Sequence, residues 1–311
     1  MRSEATPAPA TPHLLVVAPA PPGTPAVRAA AAPPALDARR LLWLVLGGVV
    51  AVDAVWLQRA GLRLAPHGLA IEIGAVALLL AIAHVYRRTG RSARLARLAE
   101  SGAQLVTFGA ALAVLSYLVA RTDAPLADAA LLRADRALGF DWWAWTAAAH
   151  GDPRVAWLLL RAYDSLVPQV AVAVMALALW RSATLLLLRL AATGLATVAL
   201  SGVLPAIGMR PDAAHVPHLL ALRADRLSVI DPTRLEGLIA FPSYHAVLAV
   251  LLAHALWAAP RALRPFALAL NAVMLVATIS VGGHYLVDVL AGCALALLAI
   301  VGVRRRAADR A

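Results

Sequence analysis

Three short stretches hold the residues whose types and spacing can do chemistry: Arg210-Pro211, Phe241-Pro242-Ser243-Tyr244-His245 and His284-Tyr285-Leu286-Val287-Asp288. Together they offer a guanidinium, a hydroxyl and two imidazoles, a set suited to holding a phosphate and moving it. Arg210 is a permanently charged, forked donor matched to phosphate oxygens. Ser243 follows Pro242, and proline favours the first turn of a helix, where free N–H groups and the helix dipole attract an anion. His284 and Asp288 are four residues apart, one turn along the same helix face. A carboxylate in that position fixes the tautomer of the imidazole and stabilises its positive form. Such a histidine can attack phosphorus through its other nitrogen, and the resulting phosphohistidine divides one transfer into two steps. His245 can then protonate the leaving oxygen and later take the proton of the incoming acceptor.

The elements that position these residues come from a chain that is 62% hydrophobic and 14% charged, with a mean hydropathy of +0.77. Soluble domains are close to half apolar and about a quarter charged, so this is the composition of an integral membrane protein. The expected fold is an all-α polytopic helix bundle. Eight apolar segments approach the about 20 residues that a transmembrane helix needs: roughly 41–58, 67–86, 103–120, 164–180, 184–206, 240–258, 264–282 and 284–303. Strand periodicity and repeats are absent from the sequence. From His245 to His284 is 39 residues, roughly 58 Å of helix, enough to cross a ~30 Å hydrocarbon core twice. His245 opens the sixth segment, the chain turns near Arg261–Arg264, and His284 returns to the starting face. Arg210 follows the fifth segment on that same face.

The net charge is +11, and all 28 basic residues are arginines. Cytoplasmic loop charge accounts for this balance in a polytopic protein, so no nucleic-acid partner is expected. Arg39 and Arg40, then Arg87, Arg88, Arg91, Arg94 and Arg97, then Arg261 and Arg264, and finally Arg304, Arg305, Arg306 and Arg310 all fall on one side of an eight-span chain. The positive-inside rule makes that side cytoplasmic. Both termini are then inside, and the three motifs face outward with two long loops, about 121–163 and 207–239. Residues 1–38 hold nine of the twenty prolines and are expected to form a disordered cytoplasmic tail. N-terminal transmembrane helices over 39–120, a catalytic membrane domain over 121–303 and a basic tail over 304–311 follow. Cys293 lies in an apolar run and reads as a small hydrophobe.

Other residues offer less. The amphipathic stretch Leu126 to Leu138 with Trp142, Trp143 and Trp145 reads as an interfacial brace. His215-x-x-His218 lacks a third ligand and reads as solvated loop instead of a metal site. Asp53 and Glu72 read as an interhelical polar contact or water-facing pair, and Arg189 as a side chain snorkelling to the cytoplasmic surface. Tyr163 and Gln169 can line the site.

Pro242-Ser243-x-His245 followed by His284-Tyr285-x-x-Asp288, with Arg210-Pro211 upstream, resembles the three signature motifs of the type 2 phosphatidic acid phosphatase superfamily over roughly residues 120–303. The resemblance implies a six-helix catalytic core and a transfer from a membrane lipid phosphate that uses no metal and no cofactor. It makes His284 the nucleophile, Asp288 its orienting partner and His245 the acid/base, with Arg210, Ser243 and Tyr244 around the phosphate. The sequence departs from the usual motifs at three positions: Val203 stands for a Lys, Thr278 for an Arg and Tyr244 for a Gly. Tyr244, Thr278 and the run Phe-Pro-Ser-x-His-Ala resemble the inositolphosphotransferase branch, which includes fungal inositol phosphorylceramide synthases. That likeness implies an alcohol acceptor. Transfer to water, as in a lipid phosphate phosphatase, and lipid-phosphate binding or transport without turnover are the alternatives. With two cationic ligands missing, Arg161, Arg223, Arg226 or Arg234 of the outer loops would have to supply charge.

Overall fold

In a computed structural model of the chain, residues 37–257 and 261–308 are described, with side chains up to residue 302. The Ala/Pro-rich tail expected over 1–38 lies outside the described residues but for its last two, and the side chains of the basic tail over 304–311 lie outside them as well.

The helices are α1 (Ala38–Ala60), α2 (Pro66–Thr89), α3 (Ala93–Ala120), α4 (Asp128–Ala137), α5 (Trp142–His150), α6 (Pro153–Asp164), α7 (Leu166–Trp180), α8 (Thr184–Val203), α9 (His215–Arg223), α10 (Tyr244–Leu256), α11 (Arg264–Ser280) and α12 (Leu286–Ala308). The one departure from an all-α fold among the described residues is a parallel pairing of two two-residue strands, Arg63–Leu64 with Val229–Ile230.

Each of the eight apolar segments contains a helix. By length and composition, five of the described helices can cross a membrane alone: α1, α2, α3, α8, and α11 together with the short turn before it. The pair α6–α7, bent by 45°, makes a sixth, while α10 and the apolar part of α12 are shorter. The bend has a local cause. Pro168 sits in the first turn of α7 and has no N–H for the Asp164 carbonyl four residues back, which interrupts the helix there.

The link between α2 and α3 is shorter than its arginine content implied. Residues 93–102 are helical, with Ser92 capping the Leu95 N–H. Ala, Leu and Arg are all strong helix formers, and the added turns give Glu100 a buried place facing Arg39, Trp43 and Arg87.

One apolar core runs between α1, α3, α7, α8 and α10, including Leu42, Phe108, Val174, Leu190 and Leu251. A second surrounds Tyr117, and a third, with Leu131, Trp142, Met209, Ile279 and Tyr285, underlies the site. Large apolar side chains such as Val50, Ile73, Leu78, Val172 and Leu298 face outward. An apolar exterior around helices whose backbone bonds are internal is what a bilayer requires. Arg189 does not reach a surface: it is buried in α8 and donates to the Ile300 carbonyl. Asp53 is also buried, and its Oδ1 has no partner among the described residues.

Helices α10 and α12 come into close contact at Gly292 of α12, where an added Cβ would meet the Ser243 carbonyl and, at 3.0 Å, Ala246 Cβ. Backbone cannot yield as a side-chain tip does. Gly292→Val is therefore expected to destabilise the fold by about 1–3 kcal/mol, read as a lowered thermal midpoint of the detergent-solubilised protein by circular dichroism. An unchanged midpoint would show that α10 and α12 are not in close contact there.

Candidate active site

The site is built where two loops interrupt helices. After α8 the chain runs irregularly to Arg210, and between α11 and α12 it crosses Val281–Tyr285. The loops dock on each other through the Met209 N–H, which donates to the Gly283 carbonyl at 2.7 Å. Two glycines permit this approach. Gly208 (φ +91°) would place a Cβ 2.9 Å from the Gly283 oxygen, and Gly283 (φ +70°) would place one 2.8 Å from Arg210 Cβ. Both conformations lie in the left-handed region that side chains disfavour.

Carboxylates hold the frame. Asp135 of α4 is fully buried and accepts the Leu286 N–H at 2.8 Å and the Val287 N–H at 2.9 Å. It thereby occupies the N-terminus of α12, a position that favours negative charge. Asp128 accepts the N–H groups of Ile207 and Gly208 and the Tyr285 hydroxyl. Neither acid was singled out from the sequence, where both sat within an amphipathic stretch among arginines. Their only signal was an acid on the apolar side of that stretch, at Asp135. Trp142 adds a brace by donating to the Ile279 carbonyl at 3.1 Å.

On this frame His284 Nδ1 lies 3.4 Å from Asp288 Oδ2, which also accepts the Tyr285 N–H at 3.0 Å. Both side chains are buried. The ring of His245, in the first turn of α10, has its centroid 6.1 Å from that of His284. Tyr163 stacks on His245 with centroids 4.4 Å apart and planes 10° apart, so the end of α6 fixes that imidazole's plane. The Ser243 N–H donates to the Asp288 carbonyl at 3.0 Å, and its hydroxyl caps the Ala246 N–H. The three motifs therefore meet.

Arg210 NH1 donates to the Val281 carbonyl at 3.0 Å, and its other nitrogens grip Asp212 at 2.7 and 3.3 Å. The shared hydrogen bond raises the Arg210 pKa and lowers that of Asp212. Tyr244 points elsewhere: its hydroxyl donates to the Leu190 carbonyl in α8. Val203 is 74% exposed at the end of α8, and Thr278 is buried with its hydroxyl on the Met274 carbonyl. Of the outer-loop arginines, Arg223 ties down the carbonyls of Thr122 and Ala124, Arg161 pairs with Asp164 and Arg234 with Asp231, while Arg226 is exposed. Gln169 bonds to Ser165 and Asn271.

A cavity of about 370 Å³ opens on the two histidines, with Tyr163, His215, Glu236 and Tyr244 also in its wall and apolar sides from Phe108, Leu112 and Leu248. The volume falls within the range of small-molecule pockets. His215 and His218 diverge: the first contacts the Ile207 carbonyl, the second the Tyr117 hydroxyl. Among the described residues no group of three or more His, Cys, Asp or Glu side chains is placed to hold a metal ion.

A family model described as "PAP2 superfamily" matches residues 129–302. No curated protein and no solved structure matches the chain.

The His284 ring is also hydrogen-bonded to the Ala240 backbone.

Proposed function

From a chain that belongs to the PAP2 superfamily, we propose a membrane phosphotransferase that takes a phosphoryl or phospho-alcohol group from a lipid phosphoester and passes it to an alcohol. The superfamily is one of phosphatases and phosphotransferases that act on phosphoester lipids. The observation that carries the finer reading is the pair of imidazoles, 6.1 Å apart between centroids, with Asp288 behind one of them.

In the first step His284 exchanges its contact with the Ala240 backbone for phosphorus. An N–P bond forms, the P–O bond to the leaving group breaks, and His245 gives the leaving oxygen its proton. In the second step the acceptor hydroxyl attacks phosphorus, an O–P bond forms, the N–P bond breaks, and the hydroxyl proton passes to His245. Asp288 orients the His284 ring and balances its charge while phosphorus is attached. Arg210 holds the equatorial oxygens by exchanging Asp212 for phosphate, and the α10 N-terminus at Ser243 faces the same charge. Tyr163 and Tyr244 shape the wall. The cavity beside the histidines has room for an organic acceptor, which supports an alcohol over water and resembles the inositolphosphotransferase pattern. No metal or cofactor is assigned a step.

His284→Ala is expected to abolish turnover and the acid-labile phosphate trapped on the protein, while the thermal midpoint stays near that of the wild type. The assay is phospholipid cleavage with and without added alcohols. Activity above a few per cent of wild type would overturn the covalent route, and phosphate release indifferent to every alcohol would assign a phosphatase.

The proposed site faces the extracytoplasmic side, with the arginine-rich links α2–α3 and α10–α11 opposite. In a Cys293→Ser background, Thr233→Cys is expected to react with a membrane-impermeant thiol reagent on intact cells, and Ala307→Cys only after lysis. The reverse pattern would place the substrate in the inner leaflet.

A further inference from the structure

A second polar cavity, of about 320 Å³, lies at the other end of α3, lined by Arg39, Arg87, Arg97, Gln104, Ser182 and Thr184 together with the acids Asp37 and Glu100. The catalytic cavity meets α3 over Phe108–Ser116 and this one over Ala93–Gln104. Arg97 and Ser116 are 19 residues apart, roughly 28 Å along the helix.

Three arginines outnumber the two acids here: Asp37 accepts the Arg39 backbone N–H, and the Glu100 oxygens are engaged by Arg39, Trp43 and Arg87. Their effect is to hold two guanidinium groups at the rim. Arg97 uses only Nε on protein, donating to the Ala178 carbonyl at 3.3 Å. Among the described residues its terminal nitrogens have no acceptor. The same cavity receives the N-terminus of α8, a helix of 20 residues whose Thr184 N–H donates to the Ser182 hydroxyl at 3.3 Å while Ala183 at the cap position offers no side-chain acceptor. The first i to i−4 bond of that helix runs from the Leu187 N–H to the Ala183 carbonyl, and it is the positive end of the helix dipole, at Ala183 and Thr184, that borders the cavity. Gln104 supplies the independent sign of a missing partner. It is 2% exposed, lines the cavity, and its Nε2 has no hydrogen-bond partner. Buried amide donors are almost always paired.

An excess of N–H donors converging from an arginine, an amide and a helix N-terminus fits phosphate oxygens. We propose that this cavity is a second anion site, taking a phosphate group either free in solution or on the headgroup of a phospholipid with a net negative charge. It is separate from the chemistry of the two histidines and stands whether or not that reading holds.

The full chain in detergent, carrying Arg210→Gln so that the catalytic cavity contributes little, is titrated with sodium phosphate against sodium chloride of equal ionic strength while the thermal midpoint is followed. The same protein is then reconstituted in nanodiscs of phosphatidylcholine with and without phosphatidylglycerol. A saturable rise with phosphate identifies the free ion, and a rise only with phosphatidylglycerol identifies the headgroup. In either case Arg97→Gln and Gln104→Leu are each expected to weaken the response at least tenfold in apparent Kd. Gln104→Leu is the decisive variant, because without a ligand it merely removes an unpaired buried donor and should raise the midpoint. A raised midpoint with an unaltered ligand response overturns the proposal. So does the absence of any response to either ligand in the parent protein.

Discussion

Backbone donors freed where helices are interrupted need partners, and leaving one buried without an acceptor is costly. This constraint organises the end of the bundle that carries the three motifs. The N–H groups of Ile207, Gly208, Tyr285, Leu286 and Val287 all end on carboxylate oxygens, from Asp128, Asp288 and Asp135. Hydrogen bonds to charged acceptors contribute about 1.5–3 kcal/mol each, so these acids can fix two loops that have no sheet or helix of their own. The loops carry Arg210 and His284. Their spacing relative to α10 thus depends largely on Asp128 and Asp135 of α4, an element that carries none of the three motifs.

Asp288 serves both purposes. One oxygen receives the Tyr285 N–H and faces His284 Nδ1, while the other has no partner among the described residues. The residue whose carboxylate lies beside the His284 imidazole also closes the first turn of α12, and its own carbonyl anchors Ser243 at the start of α10. Orientation of His284, capping of α12 and docking of α10 are therefore not independent properties. Gly292 allows the last of them, since the backbone of Ser243 passes over it.

The local pairings of the candidate site were the legible part of the sequence: four residues from His284 to Asp288, two from Ser243 to His245. The meeting of motifs also followed from length alone, as 39 residues return the chain to its starting face. What could not be read was whatever depends on a partner distant in sequence. Asp135 looks like one more charge on an amphipathic helix until the N-terminus of α12 arrives 151 residues later. Tyr163 was seen as a wall residue, but its stacking on His245 requires the bend at Pro168 to aim α6. Arg189 was read as reaching the surface because nothing in its own segment reveals the Ile300 carbonyl beside it. Tyr244 carries the reverse lesson: it is adjacent in sequence to both Ser243 and His245, yet helical rotation turns its hydroxyl toward α8.

The distribution of positive charge bears on what the site can hold. Position 203 faces outward, Thr278 is bonded within its own helix, and Arg223 is occupied by loop carbonyls. Arg210 is left as the guanidinium bonded into the loop that carries His284, held by the Val281 carbonyl and paired with Asp212. Asp212 is 69% exposed, and ion pairs open to water are weak, at about 0–1 kcal/mol. A phosphate can thus displace it at small cost while the bond to Val281 keeps the fork aimed. One guanidinium balances one negative charge. A phosphate monoester carries about −1.5 to −2 near neutral pH, whereas a diester carries one. A diester lipid, cleaved to give a phospho-alcohol on His284, needs less cationic support than a monoester, and this charge match supports transfer of a substituted phosphoryl group over simple dephosphorylation.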